Sequence, residues 1–227
     1  MSNMFVISLG GSLLSSPEGP SMQFVKSFLA FIKKQTSLGR RFILITGGGS
    51  VCRQYQNALR ELGVKTSKDL DWMGIHATRY NAEFIRIALG EKAHGTVITD
   101  PNKKVKFTKP VMLAAGWLPG RSSDDDAVRL AHMYGASYIV NLSNIDYLYD
   151  KDPNKHKDAI AIEKISWKDY LSLVGTKWIP GAHVPFDPVA SRYEKKNKLK
   201  VIVANGNNLK NLEKILTQGK SKGTVIS

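Results

Sequence analysis

The sequence predicts an α/β protein in which a parallel or mostly parallel sheet carries helices on both faces. Three observations predict it. Short apolar runs of β-type residues alternate with stretches whose apolar residues recur at helical spacing. Two of those runs break into glycines, in "MFVISLGGSLL" (Met4–Leu14) and "RFILITGGGSVCRQY" (Arg41–Tyr55). The chain of 227 residues, 42% hydrophobic and 23% charged, suffices for one sizeable domain of ordinary soluble composition.

Taken in order, Met4–Leu9 reads as a buried strand. Beyond a loop with Pro17, Gly19 and Pro20, the residues Met22, Val25, Phe28, Leu29 and Ile32 mark one face of a helix. Phe42–Thr46 reads as a strand, Arg53–Leu62 as a helix closed by Gly63, and about Asp69 to Leu89 as a long helix stopped by Gly90. Thr96–Thr99 and Val111–Ala115 read as strands flanking the basic excursion "DPNKKVKFTK". Asp126–Tyr134 is helical, ended by Gly135, and leads into strand Tyr138–Leu142. Ser166 with Asp169 predicts a capped short helix through Val174. In "FDPVASRYEKK", Asp187 suits the N-cap and Pro188 the first turn. Val201–Ala204 is a further strand, Leu209–Leu216 a last helix and "GTVI" a closing strand. With no linker, repeat or low-complexity tract in view, one domain is expected over 1–227, its later half modestly set apart.

Lys and Arg number 33 against 19 acids, a formal charge of +14, which favours anionic partners. The runs "KKQTSLGRR", "NKKVKFTK" and "YEKKNKLK" read as solvated faces, and no zinc finger or aromatic-basic motif accompanies them, so nucleic acid is not the expected partner. The five histidines lie far apart and show no metal-ligand spacing. Cys52 is the only cysteine; with no histidine near it in sequence it reads as buried filler rather than a nucleophile. No apolar run approaches the ~18 residues of a membrane span. The N-terminus lacks the layout of a signal peptide, and a cytoplasmic protein is expected.

In a parallel sheet, ligands sit beyond the carboxyl ends of the strands, and both glycine runs fall there. Glycine lets the backbone approach a ligand, and the helix that follows presents unpaired N–H groups with partial positive charge. Two such loops suggest a row of phosphates cradled between them. The spacing of a P-loop is absent, and a dinucleotide fingerprint begun at Gly47 meets Cys52 where it needs glycine. In "DWMGIHATRYNA", Arg79 suits a phosphate and Asp71 a ribose, with a solvated helix face as the open alternative. "AAGWLPGRSSDDDAV" joins a glycine-rich turn to two hydroxyls and three acids opening a helix, more carboxylates than capping needs. "NLSNIDYLYDKDP" offers polar groups with Tyr147 and Tyr149, suited to a nucleoside or to an ordinary loop.

These segments in this order, with "PFDPVA" and "GTVI", resemble the amino acid kinase family, and within it the archaeal-type UMP kinase branch, over nearly the whole chain. The resemblance implies a three-layer αβα sandwich around a mainly parallel sheet, transfer of the γ-phosphoryl group of ATP to UMP, and a homo-oligomer, commonly a hexamer. ATP-phosphate contacts are implied for Gly10, Gly11 and Ser12, next to Ser8 and Leu9, joined by Gly49 and Arg53. Ser143, Tyr149 and Asp152 match positions that hold adenosine. Gly48 and Asp71 look like acceptor contacts, with Arg79, and the turn Trp117, Leu118, Pro119, Gly120, Arg121, Ser122 and Ser123 resembles the segment that wraps the acceptor. Acceptor elements would lie mainly in 1–125 and ATP elements in 140–227. An acid opening the helix after that turn usually organises the catalytic positive charges; Asp126 fits by its Ala-Val continuation, Asp124 by closeness to the serines.

Many family members carry a lysine two positions before the first glycine pair, where this chain has Ser8. Arg53 and Arg121 are the expected substitutes for its charge. Tyr147 replaces a common glycine, and "WIPGAHVPFDP", with Trp178 and His183, has no counterpart in the pattern. Mg²⁺ is expected to arrive on the ATP phosphates, with no carboxylate cage from the protein. The rival readings are another phosphate or carboxylate acceptor, such as isopentenyl phosphate, and a catalytically weak nucleotide- or nucleic-acid-binding protein.

Overall fold

The computed structural model describes residues 3–151, 153, 155–177, 184–197, 199–218 and 222–227. Among them, one sheet is built from β1 (Met4–Leu9), β2 (Arg41–Thr46), β3 (Val111–Ala114), β4 (Tyr138–Ser143), β5 (Lys164–Ile165), β6 (Lys200–Asn205) and β7 (Thr224–Ile226). The spatial order is β3-β2-β1-β4-β6-β7-β5. Strands β3 to β6 in that order run parallel, β7 pairs antiparallel with β6, and β5 lies parallel to β7.

Helices α1 (Gly11–Leu14), α2 (Met22–Ser37), α3 (Gly49–Glu61), α4 (Ser67–Leu89), α5 (Ser123–Tyr134), α6 (Trp167–Val174), α7 (Pro188–Asn197) and α8 (Leu209–Gln218) complete the sandwich. Successive strand residues point to opposite faces. Ile7, Leu44, Val140 and Ile202 meet Phe28 and Ile32 of α2, Ile85 of α4 and Ile215 of α8. Val6, Ile43, Ile139 and Val201 meet Val128 of α5, Tyr170 of α6 and Ala190 of α7. Both faces being covered, the strands are apolar at almost every position. Each fully buried aliphatic side chain contributes about 1.5–3 kcal/mol. Helix α3 lies off the sheet, against α4 and α1.

The expected caps form. The Ser166 hydroxyl accepts from the Asp169 amide at 3.1 Å, and Asp187 Oδ1 accepts from the amides of Val189 and Ala190. Two expectations need correction. Thr96–Thr99 is not a strand: it meets β3 at one isolated bridge, Ile98 to Ala114, and the preceding chain at another, Ala93 to Val111, five residues earlier against three on β3. Its interval is longer than the one it faces, so the chain bulges and no ladder forms. Helix α3 starts at Gly49 rather than Arg53, placing Gly49 in its first turn. The two-residue strand β5 carries no periodic signal and exists only through its pairing with β7.

Candidate active site

Leu9 pairs with both Thr46 and Leu142, so the loops after β1, β2 and β4 leave the same sheet edge side by side. The two glycine loops touch each other there. A Cβ on Gly11 would lie 2.0 Å from the Gly49 amide nitrogen, and one on Gly49 would lie 2.5 Å from the Gly11 carbonyl oxygen. Gly49 also has φ +68°, a left-handed conformation that favours glycine. The glycines therefore serve first to let two backbones meet. Asn81 of α4 secures this contact, donating from Nδ2 to the carbonyls of Gly47 (2.8 Å) and Gly48 (3.2 Å).

Two cavities adjoin this junction. The first, about 190 Å³, lies between α3, α4 and the turn before α5, with Gly48, Gly49, Arg53, Asp71, Arg121 and Ser122 in its wall. Its mouth is braced by side chains. Asp71 accepts from the Gly120 amide at 2.7 Å, Arg79 donates to the carbonyls of Gly116 (3.1 Å) and Trp117 (3.3 Å), and Asp187 accepts from the Ser122 amide at 2.7 Å. The second cavity, about 790 Å³, opens over the ends of β1 and β4, bordered by Ser8, Gly10, Ser12, Asp124, Ser143 and Tyr149. Ser123, at the start of α5, borders both.

Asp124 forms the polar floor of the second cavity. Its Oδ1 accepts from the Ser8 hydroxyl at 2.8 Å and, at 3.5 Å, from Asn141 Nδ2; its Oδ2 accepts from the Asp187 amide at 3.1 Å. Burial, and secondly the neighbouring Asp187 charge, push its pKa up to about 7 against the donors that hold it down. Burial also raises Asp187. Asp126 points elsewhere: it borders neither cavity, is 1% exposed, and neither of its carboxyl oxygens is hydrogen-bonded. Burial, then the Asp125 charge, keep its pKa well above the usual range. Among the described residues no cluster of three or more His, Cys, Asp or Glu stands together to hold a metal. No helix among them is long and apolar enough to cross a membrane.

Of the residues singled out in the sequence, Ser8, Gly10, Gly11, Ser12, Ser143, Tyr149 and Asp124 come together on the second cavity. Gly48, Asp71, Arg121, Ser122 and Ser123 come together on the first. Gly49 and Arg53, expected beside ATP, stand on the first cavity instead, because α3 begins at Gly49 and carries Arg53 away from β1. Leu9 is fully buried in the core, since its strand position faces α2. Arg79 spends its guanidinium on the carbonyls of the turn rather than on the cavity. Trp117, Leu118, Pro119 and Gly120 form the turn, but Gly116 and the residues from Arg121 onward supply its cavity wall. Asp126 as organiser of the site is corrected by its burial away from both cavities. Asp152, Trp178 and His183 lie outside the described residues.

Sequence reasoning missed the site roles of Asn141 and Asp187 and the lining by Cys52 and Gln56. Helical spacing from Gly49 through Cys52 and Arg53 to Gln56 was the available signal for α3. Cys52 lies half-buried on the first cavity, and burial raises its thiol pKa.

Residues 3–205 match the amino acid kinase family. The chain is 32% identical over 225 residues to a uridylate kinase of Methanoregula boonei, covering 98% of this chain and 94% of that one. It is 29% identical over 228 residues to a uridylate kinase of Staphylothermus marinus, covering 100% and 99%. The crystal structure of uridylate kinase from Archaeoglobus fulgidus superposes with a TM-score of 0.80 at 28% identity, covering 98% of this chain and 99% of that one. A UMP kinase from Bacillus anthracis, 18% identical with a TM-score of 0.81 over 99% of this chain and 96% of that one, shares the fold. By sequence match and by architecture, this chain belongs to the amino acid kinase family.

Proposed function

We propose that the protein transfers the γ-phosphoryl group of ATP to UMP, yielding ADP and UDP. The observation that carries this reading is the pair of adjoining cavities, one small and braced, one larger, that share the start of α5 at Ser123. Relatives named uridylate kinases, similar over nearly their whole length, support the choice of acceptor. UMP takes the first cavity, its ribose towards Asp71 and its phosphate towards Gly48, Arg53 and the start of α5. ATP takes the second, its phosphates over Gly10, Gly11 and Ser12 and its adenosine towards Ser143 and Tyr149.

Phosphoryl transfer asks mainly for positioning and for charge stabilisation. An oxygen of the UMP phosphate forms a bond to the γ-phosphorus while the bond from that phosphorus to the β–γ bridging oxygen breaks. The attacking oxygen is already an anion, so no general base is required. Arg53 and Arg121 bring positive charge to the acceptor side, and the first-turn amides of α3 and α5 add their partial charges. Asp124 holds the Ser8 hydroxyl and the Asp187 amide in place below the phosphates. Mg²⁺ arriving with ATP would be held mainly by the nucleotide phosphates and would supply charge neutralisation there. A homo-oligomer, hexameric by family resemblance, is part of the same reading; exposed Tyr80 and Ile87 on α4 support an interface and sedimentation measures its size.

The test is ADP release from Mg-ATP with a panel of nucleoside monophosphates and isopentenyl phosphate. UMP is expected to be the best acceptor; a better isopentenyl phosphate, or nucleic-acid retention at physiological salt without any turnover, overturns the reading. Arg53→Ala and Arg121→Ala are each expected to lower kcat/KM for UMP about 10²-fold. Values within a few-fold of the parent remove the charge assignment.

A further inference from the structure

We propose that Arg129, which touches neither cavity, is a positioning residue that keeps the charge of Arg121 available to the acceptor. The inference rests on the acceptor role of Arg121 given above.

The side chain of Asp125 is 2% exposed and carries two guanidinium groups on a single oxygen. Arg129 Nε reaches Asp125 Oδ2 at 2.8 Å, and Arg121 Nη1 reaches the same atom at 3.2 Å. The shorter contact belongs to the arginine away from the cavity, and the longer one to the arginine in its wall. Arg121 Nε is buried without a hydrogen-bond partner, so its fork is not closed on Asp125. Both guanidiniums flank the Trp117 ring, Arg121 at 4.9 Å and Arg129 at 5.7 Å from its centroid. Arg129 is anchored further by Asn102 Oδ1 at 3.2 Å and lies 5.9 Å from the Tyr193 ring centroid.

The charges explain the arrangement. Asp126, the next carboxyl along the helix, is 1% exposed and accepts no hydrogen bond from either guanidinium; burial, then the Asp125 charge, raise its pKa. Two guanidiniums share one oxygen of Asp125, and Arg121 holds the longer of the two contacts, so its charge is only partly spent there and stays available beside the acceptor cavity. Without Arg129, Arg121 is the one cation left on Asp125 among the described residues. A buried carboxylate takes the fullest pairing on offer, so the guanidinium closes on it in two-point fashion and its charge is neutralised there. Arg129 thus acts on the acceptor through Asp125 and Arg121.

The test is steady-state kinetics on four purified variants, with thermal melting alongside. Arg129→Ala is expected to lower kcat/KM for UMP about tenfold and to leave KM for ATP within twofold. Arg129→Lys, which keeps a charge on Asp125, is expected to recover most of that loss. The decisive variant is Arg129→Ala combined with Asp125→Asn: with the unpaired carboxylate gone, Arg121 is released and kcat/KM for UMP returns to within about threefold of the parent. A merely structural role predicts the reverse, since a second buried contact has been removed. Arg129→Ala within twofold of the parent, or a double variant no better than the single one, overturns the proposal. Arg121→Ala separates the two levels: if it leaves kcat/KM for UMP unchanged, the acceptor role of Arg121 fails and this proposal falls with it. If it lowers kcat/KM while the double variant shows no recovery, only the role of Arg129 fails.

Discussion

The two cavities are built by opposite means. The acceptor cavity is braced by long-range side-chain contacts: Asp71 to the Gly120 amide, Arg79 to the carbonyls of Gly116 and Trp117, Asp187 to the Ser122 amide. The cavity over β1 and β4 is roughly four times larger; strand ends and glycines form the side towards the first cavity, and one polar cluster around Asp124 its floor. Side chains that converge from three elements define a shape and can select an acceptor. Backbone amides at strand and helix ends recognise phosphate, which every nucleoside triphosphate shares. Selectivity should therefore sit in the first cavity, and the general machinery of transfer in the second.

Gly11 borders the second cavity and touches Gly49 of the first, and Gly11→Ala has the largest expected effect. The added Cβ would meet the backbone of Gly49 at 2.0 Å, and no flexible side chain is there to yield. Separating the two loops is expected to reduce turnover more than 100-fold and to cost about 3 kcal/mol of stability. Melting and kcat measured together check this; a variant near the parent in both would show that the loops need not touch.

Asp124→Asn tests the second cavity. Turnover is expected to fall about 10²-fold, and the variant also changes how stability follows pH. The Asp124 pKa is about 7 in the fold against an ordinary value of 3.8. Between those values the folded chain holds a proton that the unfolded chain has released, so this group's contribution weakens as pH rises from about 4 to 7. The asparagine variant lacks that loss, and its melting temperature relative to the parent should climb between pH 5 and pH 8. A constant difference across that range would mean that the carboxyl is not buried as the geometry has it.

Asp71→Asn sharpens the comparison from the other side, since it weakens the brace on Gly120. KM for UMP is expected to rise about tenfold with KM for ATP within twofold, as initial-rate kinetics will read. Equal changes in both constants would erase the distinction between the cavities. Ser166→Ala, remote from either cavity, is expected to cost about 1 kcal/mol through the lost helix cap and to leave both constants untouched.

Much of the fold was legible because its signals are local. Ser166 and Asp187 announced their helix starts, and the apolar runs of β1, β2, β4 and β6 announced strands covered on both sides. The segment Thr96–Thr99 misled because apolar β-type residues say nothing of whether the facing interval has the same length. The site was legible as motifs and less so as contacts. Asp124, Asp125 and Asp126 are consecutive in a helix, so each points about 100° from the last. One meets Ser8, one meets two arginines and one meets no hydrogen-bond partner. Only the true start of α5 at Ser123 sets that phase.

What the sequence determined by itself is the alternation of strands and helices, the caps and the placing of glycines at strand ends, because each depends on residues within a few positions of one another. Tertiary structure alone decided that Gly11 meets Gly49, that Arg79 braces the turn, that Arg53 faces the acceptor cavity and that Asp125 is shared by two cations. Those outcomes depend on strand register and helix phase. Both are set by packing between segments far apart in the chain, and a one-residue shift in either turns a side chain to a different neighbour.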